Sequence, residues 1–118
     1  ELYVDFDEEL TIVEGVFDAI KAENAVPILG STIRETSKLF KKIVQNDTPV
    51  ILALDPDAKK KSESIKNLFL KYGVEVREIQ YPDERDIGDM SKEEVSVLSK
   101  NANFVKSYDS LINAISAI

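Results

Sequence analysis

The sequence contains no cysteine and no histidine among its 118 residues. Disulfides, thiolate nucleophiles, zinc sites of the usual kind and catalytic Ser-His-Asp or Cys-His pairs are therefore excluded within it. Any chemistry that the chain performs must use carboxylates, lysines, hydroxyl groups or a hard metal ion.

Long hydrophobic runs are also lacking. Apolar stretches such as residues 50–54 are far too short to span a membrane, and no charged-then-apolar leader is visible at the start. We therefore expect one soluble intracellular domain with no membrane partner.

Positive charge is scarce, because the formal net charge is -7 and the sequence pI is near 4.6. Domains whose whole surface binds nucleic acid are more often basic, since their affinity comes from neutralised phosphates. If this chain binds nucleic acid, we expect other parts of a larger protein to supply most of the affinity.

Apolar runs rich in β-branched residues predict buried parallel strands at residues 10–13, 26–29 and 50–54. Residues 74–79 predict a fourth strand nearer the sheet edge, and residues 2–6 alternate in the manner of a further edge strand. No other strand is expected.

Helical apolar spacing follows within residues 15–23, where Phe17 and Ile20 form a short stripe, and within residues 39–44 and 65–72. Capping boxes beginning at Thr32 and Ser91 predict two helix starts, and Gly73 predicts the end of the third helix. Strands that alternate with helices predict an α/β fold with a parallel sheet and helices on its faces.

Acidic residues follow three of the predicted strands, and ligands of open parallel sheets bind at the carboxyl ends of strands. The residues are Glu14 with Asp18 one helical turn later, then Asp55 and Asp57, then Asp83, Glu84, Asp86 and Asp89. Strands one and three must be neighbours for these side chains to converge.

Carboxylates that converge repel one another, by roughly 4 kcal/mol for a pair about 4 Å apart at an effective dielectric near 20. Mg²⁺ relieves such repulsion, commonly through one or two carboxylates together with waters or phosphates. A single Asp-Pro-Asp segment is more often a turn or a helix cap. The acids at several strand ends together favour a metal site.

Four segments carry a family resemblance: TIVEGVFDAIKA (residues 11–22), PILGSTI (27–33), VILALDPDAKKKSESIKNLFLKYGVEVREI (50–79) and RDIGDM (85–90). Together they resemble the Toprim domain of bacterial and phage DNA primases, a fold shared with topoisomerases and some nucleases. The resemblance covers roughly residues 10 to 95. It implies a Toprim-like, doubly wound, mainly parallel four-stranded sheet with helices on both faces.

The resemblance also implies roles for the acids. Glu14, Asp55 and Asp57 would be catalytic, and the same three residues with Asp18 and Asp86 would bind Mg²⁺ or Mn²⁺. Asp89 is less secure, because Ile87-Gly88 stands where many primases have proline followed by an acid. The implied reaction joins ribonucleoside triphosphates into short RNA primers on a single-stranded DNA template.

The implied organisation is a single Toprim domain over residues 1–118, with a core at about 10–95 and a helical tail at 91–118. Related primases carry an amino-terminal zinc-binding module and a basic subdomain, and phage forms often a helicase. We therefore expect a fragment of a larger primase that acts in the cytoplasm of a bacterial or phage-infected cell.

Lys59, Lys60 and Lys61 follow the Asp-Pro-Asp segment, in the first turn of the third predicted helix. The helix macrodipole disfavours cations there, so helix energetics do not explain them. They either bind phosphates of the triphosphate or template, or form a solvated, charge-balancing face.

Three other functions remain open from the sequence. A Toprim nuclease, of the overcoming-lysogenisation-defect or ribosomal-RNA maturase type, would use the same acids for hydrolysis. A receiver module of two-component signalling has this length and pattern, but needs paired acids after strand one and a lysine after a fifth strand. A Toprim-like scaffold would bind partners without catalysis.

Overall fold

The computed structural model describes residues 4–83 and 85–105. The described elements, in chain order, are β1 (Leu10–Val13), α1 (Val16–Lys21), β2 (Ala25–Pro27), α2 (Lys38–Asn46), β3 (Val50–Ala53), α3 (Lys59–Lys71), β4 (Val76–Glu78), α4 (Lys92–Lys100) and β5 (Asn103–Phe104). A 3₁₀ turn, Ile87–Asp89, lies between β4 and α4. The predicted α/β class is confirmed.

The five strands form one sheet in the order β2-β1-β3-β4-β5. Strands β1 to β4 are parallel, and β5 pairs with β4 in the antiparallel direction. The predicted count of four strands is therefore wrong. Asn103 and Phe104 are both exposed and too few to show a periodicity, so only their pairing with β4 reveals the fifth strand.

The sheet is buried on both faces, which explains why β3 reads as a continuous apolar run. Val50, Leu52 and Leu54 belong to one apolar cluster, which also contains the buried residues of α2 and α3. Ile51 and Ala53 belong to a second cluster, with buried residues of α1 and α4. Helices thus pack on both faces of the sheet.

Two helix boundaries were predicted correctly, and one was not. Ser91 and Glu94 form the expected reciprocal capping box of α4, and Gly73, at φ 76°, follows the end of α3. Thr32 caps no helix, because α2 begins at Lys38. Residues 31–34 are irregular instead, and Ile33 from this segment is buried in the core.

The predicted apolar stripe of α1 does not pack against the core. Phe17 and Ile20 are 80% and 51% exposed, and Ala19 is the side chain that α1 buries. The helix is only six residues long, which is less than two turns, so few of its positions can face the sheet. Phe17 and Ile20 therefore contribute little to the core.

The expected strand at residues 2–6 is wrong where it is described, because residues 4–9 contain no strand. Their backbone bonds to a side chain instead: the Asn24 amide donates to the carbonyls of Asp5 and Glu9 and accepts from the Asp5 N–H. Residues 1–3 lie outside the described residues.

The predicted helical tail contains α4 and is then interrupted by β5. Its last apolar residues, Leu111, Ile112, Ile115 and Ile118, lie outside the described residues. Within the described part of the chain, none of the helices has the length and apolar character needed to cross a bilayer.

Candidate active site

The acids after β1 and β3 leave the sheet side by side. The two strands are neighbours and Val13 pairs with Ala53, so Glu14 and Leu54 emerge at the same level, directly followed on β3 by Asp55. The predicted adjacency of strands one and three is confirmed. Parallel pairing therefore brings acids from distant parts of the chain to one carboxyl edge.

Asp18 lies in the first turn of α1, where its Oδ2 accepts a hydrogen bond from the Gly15 N–H at 3.0 Å. Gly88, in the 3₁₀ turn that follows Asp86, lies beside the same carboxylate. A Cβ on Gly88 would lie 3.0 Å from Asp18 Oδ1 and 3.2 Å from Asp86 Oδ1. The missing side chain at Gly88 thus lets α1 and the acidic turn meet.

The pKa of the Asp55 carboxyl group is raised to about 6, first by burial and then by the neighbouring carboxylates. These neighbours are Asp86, Asp18, Glu14 and Asp57, in decreasing order of effect. Burial also raises the pKa of Asp18, with smaller contributions from Asp86 and Glu14, against backbone hydrogen bonds that lower it. The five predicted metal-binding acids therefore interact electrostatically, and we call them the acidic cluster.

The acidic cluster borders an open cleft of about 510 Å³, lined by Asp55, Pro56, Asp57, Lys59, Asp83 and Asp86. Among the described residues, no three acids are placed so that they would share one metal ion. That arrangement does not match an all-protein cage of the kind that Ca²⁺ uses. It is compatible with Mg²⁺, which commonly takes one or two carboxylates and completes its shell with waters and phosphate oxygens.

The three consecutive lysines have different surroundings. Lys61 Nζ donates to both carboxylate oxygens of Glu14, at 3.0 and 3.2 Å. Lys59 lines the acidic cleft and is exposed. Lys60 is exposed and forms no ion pair with any other described residue. The three lysines that were predicted either to bind phosphates or to form a solvated face therefore differ in their surroundings.

The remaining acids after β4 are less closely associated with the cluster. Asp83 bonds to Arg85 at 3.1 Å, and this hydrogen bond holds the pKa of Asp83 below its ordinary value. Asp89 lies in the 3₁₀ turn, and Glu84 lies outside the described residues. Asp86 is thus the acid of this segment that most affects Asp55.

Two supporting residues have no signal in the sequence. Tyr81 is half-buried and its hydroxyl donates to the carbonyl of Leu54 at 2.7 Å; burial, together with the nearby acids, raises its pKa. Lys21 Nζ donates to the carbonyl oxygens of Gly88, at 3.2 Å, and of Met90. Both contacts join segments far apart in the chain and hold backbone that carries cluster acids.

The loop after β2, which contains the LGST segment, also reaches the carboxyl edge. The N–H of Leu29 donates to the carbonyl of Glu14 at 2.8 Å, and Leu29 is exposed. Leu29 and Gly30 have φ values of 55° and 79°. The loop therefore turns back beside Glu14.

No protein-family model matches the sequence, and no curated protein matches it. Among solved structures, the described fold resembles part of a chain that comprises the zinc-binding and RNA polymerase domains of the Aquifex aeolicus primase, with a TM-score of 0.66. The chain has the fold of part of a bacterial primase. Sequence identity to this primase is 24%, over 89% of the present chain.

The present chain spans 28% of the length of the Aquifex primase chain that it matches. At this level of identity the likeness establishes the fold and leaves the activity to be tested. The shared fold is compatible with the family resemblance of the four sequence segments.

Proposed function

We propose that this chain is the catalytic Toprim core of a DNA primase, which joins ribonucleoside triphosphates on single-stranded DNA with the help of Mg²⁺. The observation that carries the proposal is the acidic cluster, in which burial and then the four neighbouring carboxylates raise the pKa of Asp55 to about 6. Strongly perturbed acids in a cleft are a common mark of functional sites. The fold shared with a primase supports the same reaction class.

In this proposal Glu14, Asp55 and Asp57 are the principal ligands, and Asp18 and Asp86 complete the negative field. Bound Mg²⁺ would lower the pKa of the attacking 3′ hydroxyl and neutralise the pyrophosphate that leaves. The protein's own contribution is to hold the acids in place: the Gly15 N–H orients Asp18, and the Tyr81 hydroxyl holds the backbone before Asp55. Lys59 lines the cleft, and we assign it the role of contacting the triphosphate.

The template and further modules also belong to this proposal. With a net charge of -7 the chain has little to attract the phosphates of single-stranded DNA. We therefore place most of the template affinity, with zinc-binding and helicase modules, in the remainder of a larger parent protein.

A receiver-like phosphorylation site is disfavoured by the direction of β5. Because β5 runs antiparallel to β4, the chain leaves it at the edge opposite the acidic cluster. A lysine that follows this strand would not reach the acids. A Toprim nuclease would use the same cluster, so it is distinguished by experiment.

The decisive experiment compares the wild-type chain with Asp55→Asn, Asp57→Asn and the control Asp47→Asn. Asp47 caps the end of α2 with φ 52°, a conformation that Asn accepts, so the control removes one charge without strain. We expect Mn²⁺ binding by calorimetry in the wild type and the control. We also expect template-dependent dinucleotide synthesis by both, at template concentrations high enough to offset the weak template affinity of this chain. Mn²⁺ binding and dinucleotide synthesis should each fall at least about tenfold in the two site variants.

Other outcomes would overturn the proposal. A wild-type chain that binds no divalent ion has no metal site. A chain that binds Mn²⁺ and cuts DNA or RNA without nucleotides is a nuclease. If it binds Mn²⁺ but neither joins nor cuts, it is a scaffold.

A further inference from the structure

The fold brings the Lys61 ammonium group into contact with the carboxylate of Glu14. It lies in the first turn of α3, 47 residues after Glu14, and its ammonium group donates to both Glu14 oxygens at 3.0 and 3.2 Å. The Lys61 and Glu14 side chains are 25% and 15% exposed. A helix N-terminus disfavours cations, so the acidic cluster provides the attraction that holds Lys61 there.

The backbone of α3 is held independently of this pair. The hydroxyl of the next residue, Ser62, donates to Glu78 of β4 at 2.8 Å, and buried Lys66 donates to the same carboxylate at 3.1 Å. These bonds tie α3 to the sheet. Breaking the Lys61–Glu14 pair therefore needs a rotation of the Lys61 side chain alone.

The ammonium group lies between the two Glu14 oxygens, where a divalent ion would bind the carboxylate through both oxygens. A carboxylate binds a divalent ion through the lone pairs of its oxygens, and Lys61 already uses both Glu14 oxygens at once. If Glu14 is a metal ligand, the ammonium group and the metal ion compete for it.

We infer that Lys61 is an exchangeable counter-ion of the acidic cluster. Without metal it holds Glu14 at the carboxyl edge; on metal loading it gives up Glu14 and donates to a phosphate oxygen of the nucleotide. Lys61 is thus a positioning residue that links metal loading to triphosphate binding. The inference rests on the proposed function, because it takes Glu14 as a metal ligand.

The test uses Lys61→Met, Lys61→Arg and the control Lys60→Met in the whole chain. Lys60→Met removes the same charge from the same helical turn at a residue with no described ion pair. Mn²⁺ affinity is measured by calorimetry, and Mn²⁺-dependent affinity for a fluorescent ATP analogue is measured by anisotropy.

We expect Lys61→Met to bind Mn²⁺ about fivefold more tightly, as loss of a competing partly exposed pair allows. Its Mn²⁺-dependent affinity for the ATP analogue should fall about fivefold. Lys61→Arg should keep both affinities within about twofold of the wild type, and so should Lys60→Met. A purely structural pair would not move the two affinities in opposite directions.

Equal or weaker Mn²⁺ binding by folded Lys61→Met overturns the exchange. If that variant does not fold by circular dichroism, Lys61→Gln takes its place. Glu14→Gln adds a double-mutant cycle, in which Lys61→Met should no longer tighten Mn²⁺ binding once Glu14 has lost its charge. If the wild type binds no Mn²⁺, the proposed function fails; if Asp55→Asn weakens Mn²⁺ binding while Lys61→Met leaves it unchanged, only the exchange fails.

Discussion

Asp55 shows how burial and neighbouring negative charges at the carboxyl edge change the protonation of a single residue. Its pKa rises from 3.8 to about 6, because burial and the neighbouring acids disfavour the ionised form. Between these two values the folded chain binds more protons at Asp55 than the unfolded chain does. Folding stability from this group is therefore present at low pH, falls as pH rises through the window, and stays lower above about 6.

Removing the Asp55 charge should therefore stabilise the metal-free chain at neutral pH. We expect Asp55→Asn to increase the free energy of unfolding by about 1 kcal/mol near pH 7.5, a value discounted for solvent screening of a partly exposed group. Near pH 4 the gain should vanish, because the wild-type carboxyl group is then mostly protonated. Urea unfolding in the presence of EDTA measures both values.

The control for this prediction is Asp47→Asn, which lies at the end of α2 away from the acidic cluster. Its unfolding free energy should change little between the two pH values. An Asp55→Asn chain that is less stable than the wild type at neutral pH would show that the cluster does not raise the free energy of the folded state.

Among the elements, the 3₁₀ turn and α1 pack so closely at Gly88 that a side chain there would crowd the neighbouring carboxylates. A Cβ at Gly88 would lie 3.0 Å from Asp18 Oδ1 and 3.2 Å from Asp86 Oδ1. Gly73 is the opposite case, since its surroundings are open and its φ of 76° is the constraint. Gly88 is therefore required by side-chain packing, whereas Gly73 is required by its left-handed backbone conformation.

Gly88→Ala should disturb the acids more than the fold. The atoms that it would crowd are ends of flexible side chains, so we expect a loss of less than about 1 kcal/mol of stability. Because Asp18 and Asp86 must move apart, Mn²⁺ affinity should fall about threefold to tenfold. Thermal unfolding and calorimetry measure the two effects.

Gly73→Ala provides the matched comparison. It should cost about 1 kcal/mol of stability through its left-handed backbone and leave Mn²⁺ affinity unchanged. Equal Mn²⁺ affinities in Gly88→Ala and the wild type would mean that the contact between α1 and the 3₁₀ turn does not organise the acids.

At the scale of the whole molecule, the net charge of -7 and the gathering of acids at one edge leave the metal-free fold under internal repulsion. A divalent ion that binds only the folded state adds stability by mass action. Monovalent salt also screens the repulsion but has no site to fill. The two kinds of salt should therefore act differently.

We expect Mn²⁺ at about 100 times its measured Kd to stabilise the chain by about 2.7 kcal/mol, or about 10 °C in Tm. Sodium chloride at the same ionic strength should give a much smaller increase. In the double variant Asp55→Asn, Asp57→Asn the response to Mn²⁺ should shrink to that of sodium chloride. Differential scanning calorimetry measures these Tm shifts. If the wild type with Mn²⁺, the wild type with sodium chloride and the double variant with Mn²⁺ all show the same shift, the metal acts only by screening.

The sequence alone determined the α/β class, the bounds of β1, the first turn of α3 and its end before Gly73. These features follow from contacts within a few residues: apolar runs buried on both faces, side chains three or four positions apart, and a glycine that accepts a left-handed conformation. It also indicated that acids meet at one edge, because parallel strands must end on the same side of a sheet.

Only the tertiary structure decided the fifth strand, the late start of α2, the exposure of Phe17 and the partner of Lys61. Each depends on what a segment meets from a distant part of the chain: β4 beside Asn103, the core around Ile33, or Glu14 within reach of an ammonium group 47 residues later. The periodicity of the sequence carries no information on these long-range contacts, because they form only when the sheet has assembled.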